Sequence, residues 1–112
     1  MHLEYYVVAP EFCDKLIKIA TEFPAVNQGD YRTVLQPHRH SEAFLEALRH
    51  PGVIRIVRLM LGDEISGIQT QFFYGKPGTL GFQPHQDNSN ALSGTFASAW
   101  VALTDVSKEN GG

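Results

Sequence analysis

The chain has 112 residues, 43% of them hydrophobic and 11% aromatic, which suits one globular domain with a single core. Nine Lys and Arg stand against twelve Asp and Glu, a formal net charge of -3 with neither sign gathered into a block, so no nucleic-acid or anionic-membrane partner is expected. No stretch approaches the roughly 20 apolar residues of a membrane span, Glu4 replaces the basic opening of a signal peptide, and the lone Cys13 excludes an internal disulfide or a thiolate zinc site; the expected compartment is the cytoplasm.

Phe12, Leu16, Ile19, Ala20 and Phe23 recur three and four apart behind Pro10, whose missing amide is tolerated in a first turn, and Pro24 stops the pattern. This predicts an amphipathic helix of about three to four turns. Residues 27–40 are polar and turn-rich and read as loop, His38 and His40 included. Ser41 can cap a short second helix that carries Phe44, Leu45 and Leu48 on one side and Glu42 in its first turn. Pro51 opens a third, with Val53, Ile56, Val57 and Met60 facing one way, Arg55 and Arg58 another, and Gly62 as its C-terminal cap.

After Gly62 the apolar period changes from about 3.6 to 2. Residues 68–74 alternate polar and aromatic side chains and end in a Gly-Lys-Pro-Gly turn at 75–78. Residues 80–88 read as a second extended segment, and Pro84 suits an edge or a strand entry. Residues 96–105 form the strongest strand pattern. Phe96, Ser98, Trp100, Ala102 and Thr104 share one face and Ala97, Ala99, Val101 and Leu103 the other, so coverage on both sides is expected. No repeat or linker interrupts the chain. The reading is one α+β domain over 1–112, mainly helical through residue 62 and strand-bearing over 63–112.

His85 and Asp87 stand two apart in the strand-bearing half. On extended backbone such residues project from one face, so an imidazole and a carboxylate would lie side by side. One nitrogen and one anionic oxygen donor, with a third ligand from elsewhere, make the facial triad that suits Fe(II) and leaves positions open for a bidentate cosubstrate and O2. The bare pattern is weak, since a His and an Asp bonded to each other or to solvent at a strand end would look the same. The Gly/Pro turn before it and the 88–95 loop after it are the setting in which a sheet presents a site below a substrate loop. Cys13 has apolar neighbours and nothing adjacent to activate it, His50 reads as a helix-start residue, no serine has a nucleophile-elbow setting, and the glycines of 75–81 lack phosphate-binding spacing.

The run Phe72-Phe73-Tyr74-Gly75-Lys76-Pro77-Gly78, then Pro84-His85-Gln86-Asp87, then Ala99-Trp100-Val101-Ala102-Leu103-Thr104-Asp105 and Glu109-Asn110-Gly111-Gly112, resembles the phytanoyl-CoA dioxygenase family of Fe(II)- and 2-oxoglutarate-dependent oxygenases. Four motifs stand in the family's order, over residues 68–112. The resemblance implies a double-stranded β-helix, a cupin-like jelly roll with helices packed outside one sheet. It implies His85 and Asp87 as iron ligands, and Lys76 and Trp100 as lining of the 2-oxoglutarate pocket. The implied reaction couples decarboxylation of 2-oxoglutarate to succinate with O2-dependent hydroxylation of a small organic substrate. Related halogenases put a small residue where Asp87 stands, so its presence favours hydroxylation.

The family pattern continues to a distal His and a 2-oxoglutarate-binding Arg, yet no His follows Asp87 and no Arg follows Arg58. The expectation is therefore an N-terminal portion of a longer enzyme, with the jelly roll incomplete and two of three iron ligands present. The alternative is a non-catalytic fragment, a structural module that self-associates through exposed strand edges into a homo-oligomer.

Overall fold

The computed structural model describes residues 7–24, 26, 32–75, 77–85, 87 and 94–110. Helix α1, Pro10–Ala20, starts where the Ala9 carbonyl accepts the amides of Phe12 and Cys13 at 3.0 and 3.1 Å. Glu11 in its first turn and Lys18 in its last oppose the helix dipole. The stripe Cys13, Leu16 and Ala20 is buried. The predicted start at Pro10 is the observed one, and the helix ends just ahead of the Pro24 stop.

Residues 27–40 were expected to be loop, and the structure corrects part of that. Strand β1, Arg32–Leu35, pairs antiparallel with β2, Gln71–Tyr74, with Thr33 opposite Phe73 and Val34 opposite Phe72; residues 27–31 lie outside the described residues. The Gln36 amide extends the ladder to the Thr70 carbonyl at 2.8 Å. Gln36 then takes a left-handed conformation, φ 52°, that turns the chain into a 3-10 turn, Pro37–Arg39. His38 is tied to the start of β2, its Nδ1 lying 2.6 Å from the Thr70 hydroxyl.

Helix α2, Glu42–Leu48, begins at Ser41 as predicted, but the Ser41 side chain makes no capping bond. Helix α3, Pro51–Leu61, is capped by His50, whose Nδ1 accepts the Gly52 amide at 3.2 Å. Glycine is needed at 52 because a Cβ there would lie 2.6 Å from the Val7 carbonyl oxygen. Gly62 closes α3 at φ 93°, the left-handed region where glycine carries no Cβ penalty.

The core is Leu16, Ala20, Ala43 and Phe44, with Phe12, Ile19, Phe23, Ala47, Phe72 and Leu103 packed against it. The Phe44 ring lies 5.8 Å from both Phe23 and Phe72, edge-on to the latter. Lys15 and Glu46 join α1 to α2 by an exposed 3.4 Å ion pair, an interaction worth at most about 1 kcal/mol. Helix α3 contributes no fully buried residue, and Met60, on the face it shares with Val53, Ile56 and Val57, is exposed.

The strand expected over 96–105 is not formed. No other strand of the described residues offers it a hydrogen-bond ladder, and Trp100 is 71% exposed where coverage on both sides was expected. The described part of 80–88 likewise carries no strand. Strand geometry is held by inter-strand bonds, so an alternating pattern without a neighbour stays irregular. Leu103 alone of this segment packs on the core cluster. Among the described residues the architecture is thus three α-helices, two 3-10 turns and one two-stranded antiparallel sheet. Among the described residues no helix is long and apolar enough to cross a membrane.

Candidate metal centre

Strand β2 divides its side chains between two environments, as the period of 2 requires. Phe72 packs on the core through Phe44, while Phe73 stacks on Trp100, ring centroids 4.6 Å apart at 24°. Phe73 also meets Phe82 edge-on at 5.8 Å, and Phe82 meets His85 edge-on at 6.1 Å. A line of rings therefore runs from β2 to the first residue of the candidate pair.

His85 and Asp87 do come together. His85 Nε2 lies 3.7 Å from Asp87 Oδ1, with both side chains well exposed. On its other side His85 Nδ1 lies 2.8 Å from the Gln83 carbonyl oxygen. A carbonyl only accepts, so Nδ1 carries the proton; in the neutral ring Nε2 then presents its lone pair. At 3.7 Å the pair is beyond hydrogen-bond distance. An imidazole nitrogen and a carboxylate oxygen on neighbouring exposed side chains are donors that one divalent ion would take together. A borderline nitrogen and a hard anionic oxygen suit Fe(II), and the backbone carbonyl behind the imidazole is the kind of partner that orients a metal-bound histidine. The donor set fits the metal.

Among the described residues no group of three metal-ligating side chains forms. His38 is bonded to Thr70 and His50 caps α3. Trp100 packs one face on Phe73 and leaves most of its surface to solvent. Lys76 lies outside the described residues. Cys13 is buried, and desolvation, with the Asp14 charge second, pushes its thiol pKa up, the opposite of an activated nucleophile. Two open depressions of about 330 and 440 Å³ lie along α2 and α3, lined by such residues as Phe12 and His50 or Arg55 and Arg58, and neither touches the pair.

The turn that closes the described segment is built by Asn110. Its Oδ1 accepts the Ser107 amide at 2.7 Å and its Nδ2 donates to the Asp105 carbonyl at 2.8 Å. A bond from the Ser107 hydroxyl, followed by a backbone bond, holds the neighbouring Glu109 carboxyl below the usual carboxylate range. Sequence reasoning passed over Phe82 and Gln83. An aromatic three residues before the histidine was the one visible signal, while a carbonyl partner leaves none.

The family model for phytanoyl-CoA dioxygenase (PhyH) matches residues 2–112. No curated protein and no solved structure gives a significant match. The match spans the helices as well as the four motifs between residues 68 and 112. On that extent the chain belongs to the phytanoyl-CoA dioxygenase family.

Proposed function

We propose that this chain carries part of the active site of an Fe(II)- and 2-oxoglutarate-dependent oxygenase that hydroxylates a small organic substrate, with His85 and Asp87 as two of three protein ligands. Family membership supports the oxygenase class. The observation that carries the assignment of residues is the pair itself: Nε2 and Oδ1 3.7 Å apart, with Nδ1 bonded to Gln83. Iron, when bound, supplies the coupling of O2 activation to decarboxylation of 2-oxoglutarate.

The chain's own groups prepare that chemistry. The Gln83 carbonyl keeps Nε2 free to donate, and Asp87 brings the negative charge that favours a dication at an exposed position. The exposure of both side chains leaves room beside them for a cosubstrate. Lys76 is assigned to a carboxylate of 2-oxoglutarate and Trp100 to its apolar wall. In this reading the third ligand and a second cation for 2-oxoglutarate come from outside these 112 residues, because no His follows Asp87, no Arg follows Arg58, and among the described residues no third metal-ligating side chain joins the pair. The scaffold proposed is part of a cupin-like jelly roll, with residues 1–62 as its mainly helical flank and 63–112 as the segment whose alternating patterns would become core strands once neighbouring strands pair with them, in a cytoplasmic protein.

A second reading rests on the exposed apolar surface, with Leu80 90%, Trp100 71% and Phe82 59% exposed beside a sheet of two strands. It makes the chain a structural module that self-associates through strand edges. Anaerobic equilibrium dialysis against Fe(II), with and without 2-oxoglutarate, separates the two. The oxygenase reading expects retained iron that His85→Ala and Asp87→Ala both lose. Equal retention by all three proteins, with a metal-independent dimer in sedimentation equilibrium, favours the module.

A further inference from the structure

We propose that Phe82 is a positioning residue for the metal-binding face of His85, and that Trp100 acts on the site through it as the far end of a ring relay. This rests on the reading of His85 as a metal ligand. The backbone between residues 77 and 87 forms no helix or strand in the described residues, so no ladder of hydrogen bonds fixes where the imidazole points. The Gln83 bond fixes one ring nitrogen, but Gln83 belongs to the same irregular segment. The line of rings reaches outside that segment. Phe82 meets the imidazole at 6.1 Å and 70°. It meets Phe73 at 5.8 Å and 85°, the edge-to-face arrangement that aromatic quadrupoles favour. Phe73 belongs to β2, whose register against β1 is set by the ladder, and Trp100 covers its ring at 4.6 Å.

The relay thus carries order from the sheet of the described residues to the candidate ligand. The face of Trp100 that is covered is the one stacked on Phe73, while the residue as a whole stays 71% exposed. A chance cluster of exposed aromatics would show the same contacts but would leave the imidazole indifferent to their loss.

Co(II) serves as the probe, its visible bands reporting affinity in the whole chain, and ¹⁵N shifts of the His85 ring report its tautomer without metal. Phe82→Ala is expected to weaken Co(II) binding severalfold, up to about tenfold, the scale of one lost aromatic contact. It is also expected to move the His85 ¹⁵N shifts away from a single Nδ1–H form. Phe82→Tyr should restore both, and Trp100→Ala should weaken binding by less. Phe82 is 59% exposed, so its truncation opens no core, and an unchanged far-ultraviolet spectrum checks the fold. Wild-type affinity and wild-type ¹⁵N shifts in Phe82→Ala, with binding lost in His85→Ala, would overturn the relay and leave the ligand assignment standing. Wild-type affinity in His85→Ala would overturn both.

Discussion

Phe72 and Phe73 are neighbours on β2, and they face two different proteins in miniature. Behind Phe72 lies the core cluster of α1 and α2, and every fully buried residue of the described chain falls before residue 45. Beyond Phe73 lie Phe82, His85, Asp87 and Trp100, none of them fully buried and none in a helix or strand. On the proposed assignment, stability and chemistry are held in separate regions that meet across one strand. A metal site tolerates this, because its donors must remain reachable while something rigid aims them.

The largest effect is expected in the core behind Phe72. Phe44→Ala removes a ring that is 5% exposed and in contact with Phe23 and Phe72, at an expected cost of about 3–5 kcal/mol. Against the roughly 5–15 kcal/mol of an ordinary domain this should abolish or sharply lower the thermal transition seen by circular dichroism. Phe73→Ala tests the seam. It deletes two ring contacts worth about 0.5–1.5 kcal/mol each, so urea unfolding should register a loss of about 1–3 kcal/mol, and the Trp100 emission should shift red as its covered face opens.

Smaller effects sharpen the picture of the outer region. Asn110→Ala removes both side-chain bonds of the 105–110 turn, at about 1 kcal/mol, and should speed amide exchange at Ser107 while leaving α1 unchanged. Glu109 gives the smallest effect. Its folded pKa is depressed, so its contribution is present above the usual carboxylate range and is lost as pH falls through the lowered folded value. A ¹³C titration should place Glu109 below an unfolded-chain glutamate, and Ser107→Ala should bring it back up.

The helices were legible because their signals are local. Apolar side chains three and four apart, Pro10 and Pro51 at the starts and Gly62 at an end need no knowledge of the rest of the chain. Strand β1 was not legible, since four residues without alternation become a strand only through pairing with the distant β2. Residues 96–105 failed in the opposite direction. Their alternation states what a strand would bury, and says nothing of whether neighbours exist to pair with it. The spacing of two singled out His85 and Asp87, whose side chains approach to 3.7 Å on a backbone that forms no strand. The contact of Phe82 with His85 follows no period, and so it had to be seen.

Fe(II) broadening of amide resonances is the most direct test of this division, because it locates the ion rather than counting it. Under anaerobic conditions the strongest loss of signal should centre on His85 and Asp87 and weaken through Phe82 toward Phe73, with α1 and α2 untouched. Broadening centred instead on His38, His40 or His50, or spread evenly over the chain, would contradict the account.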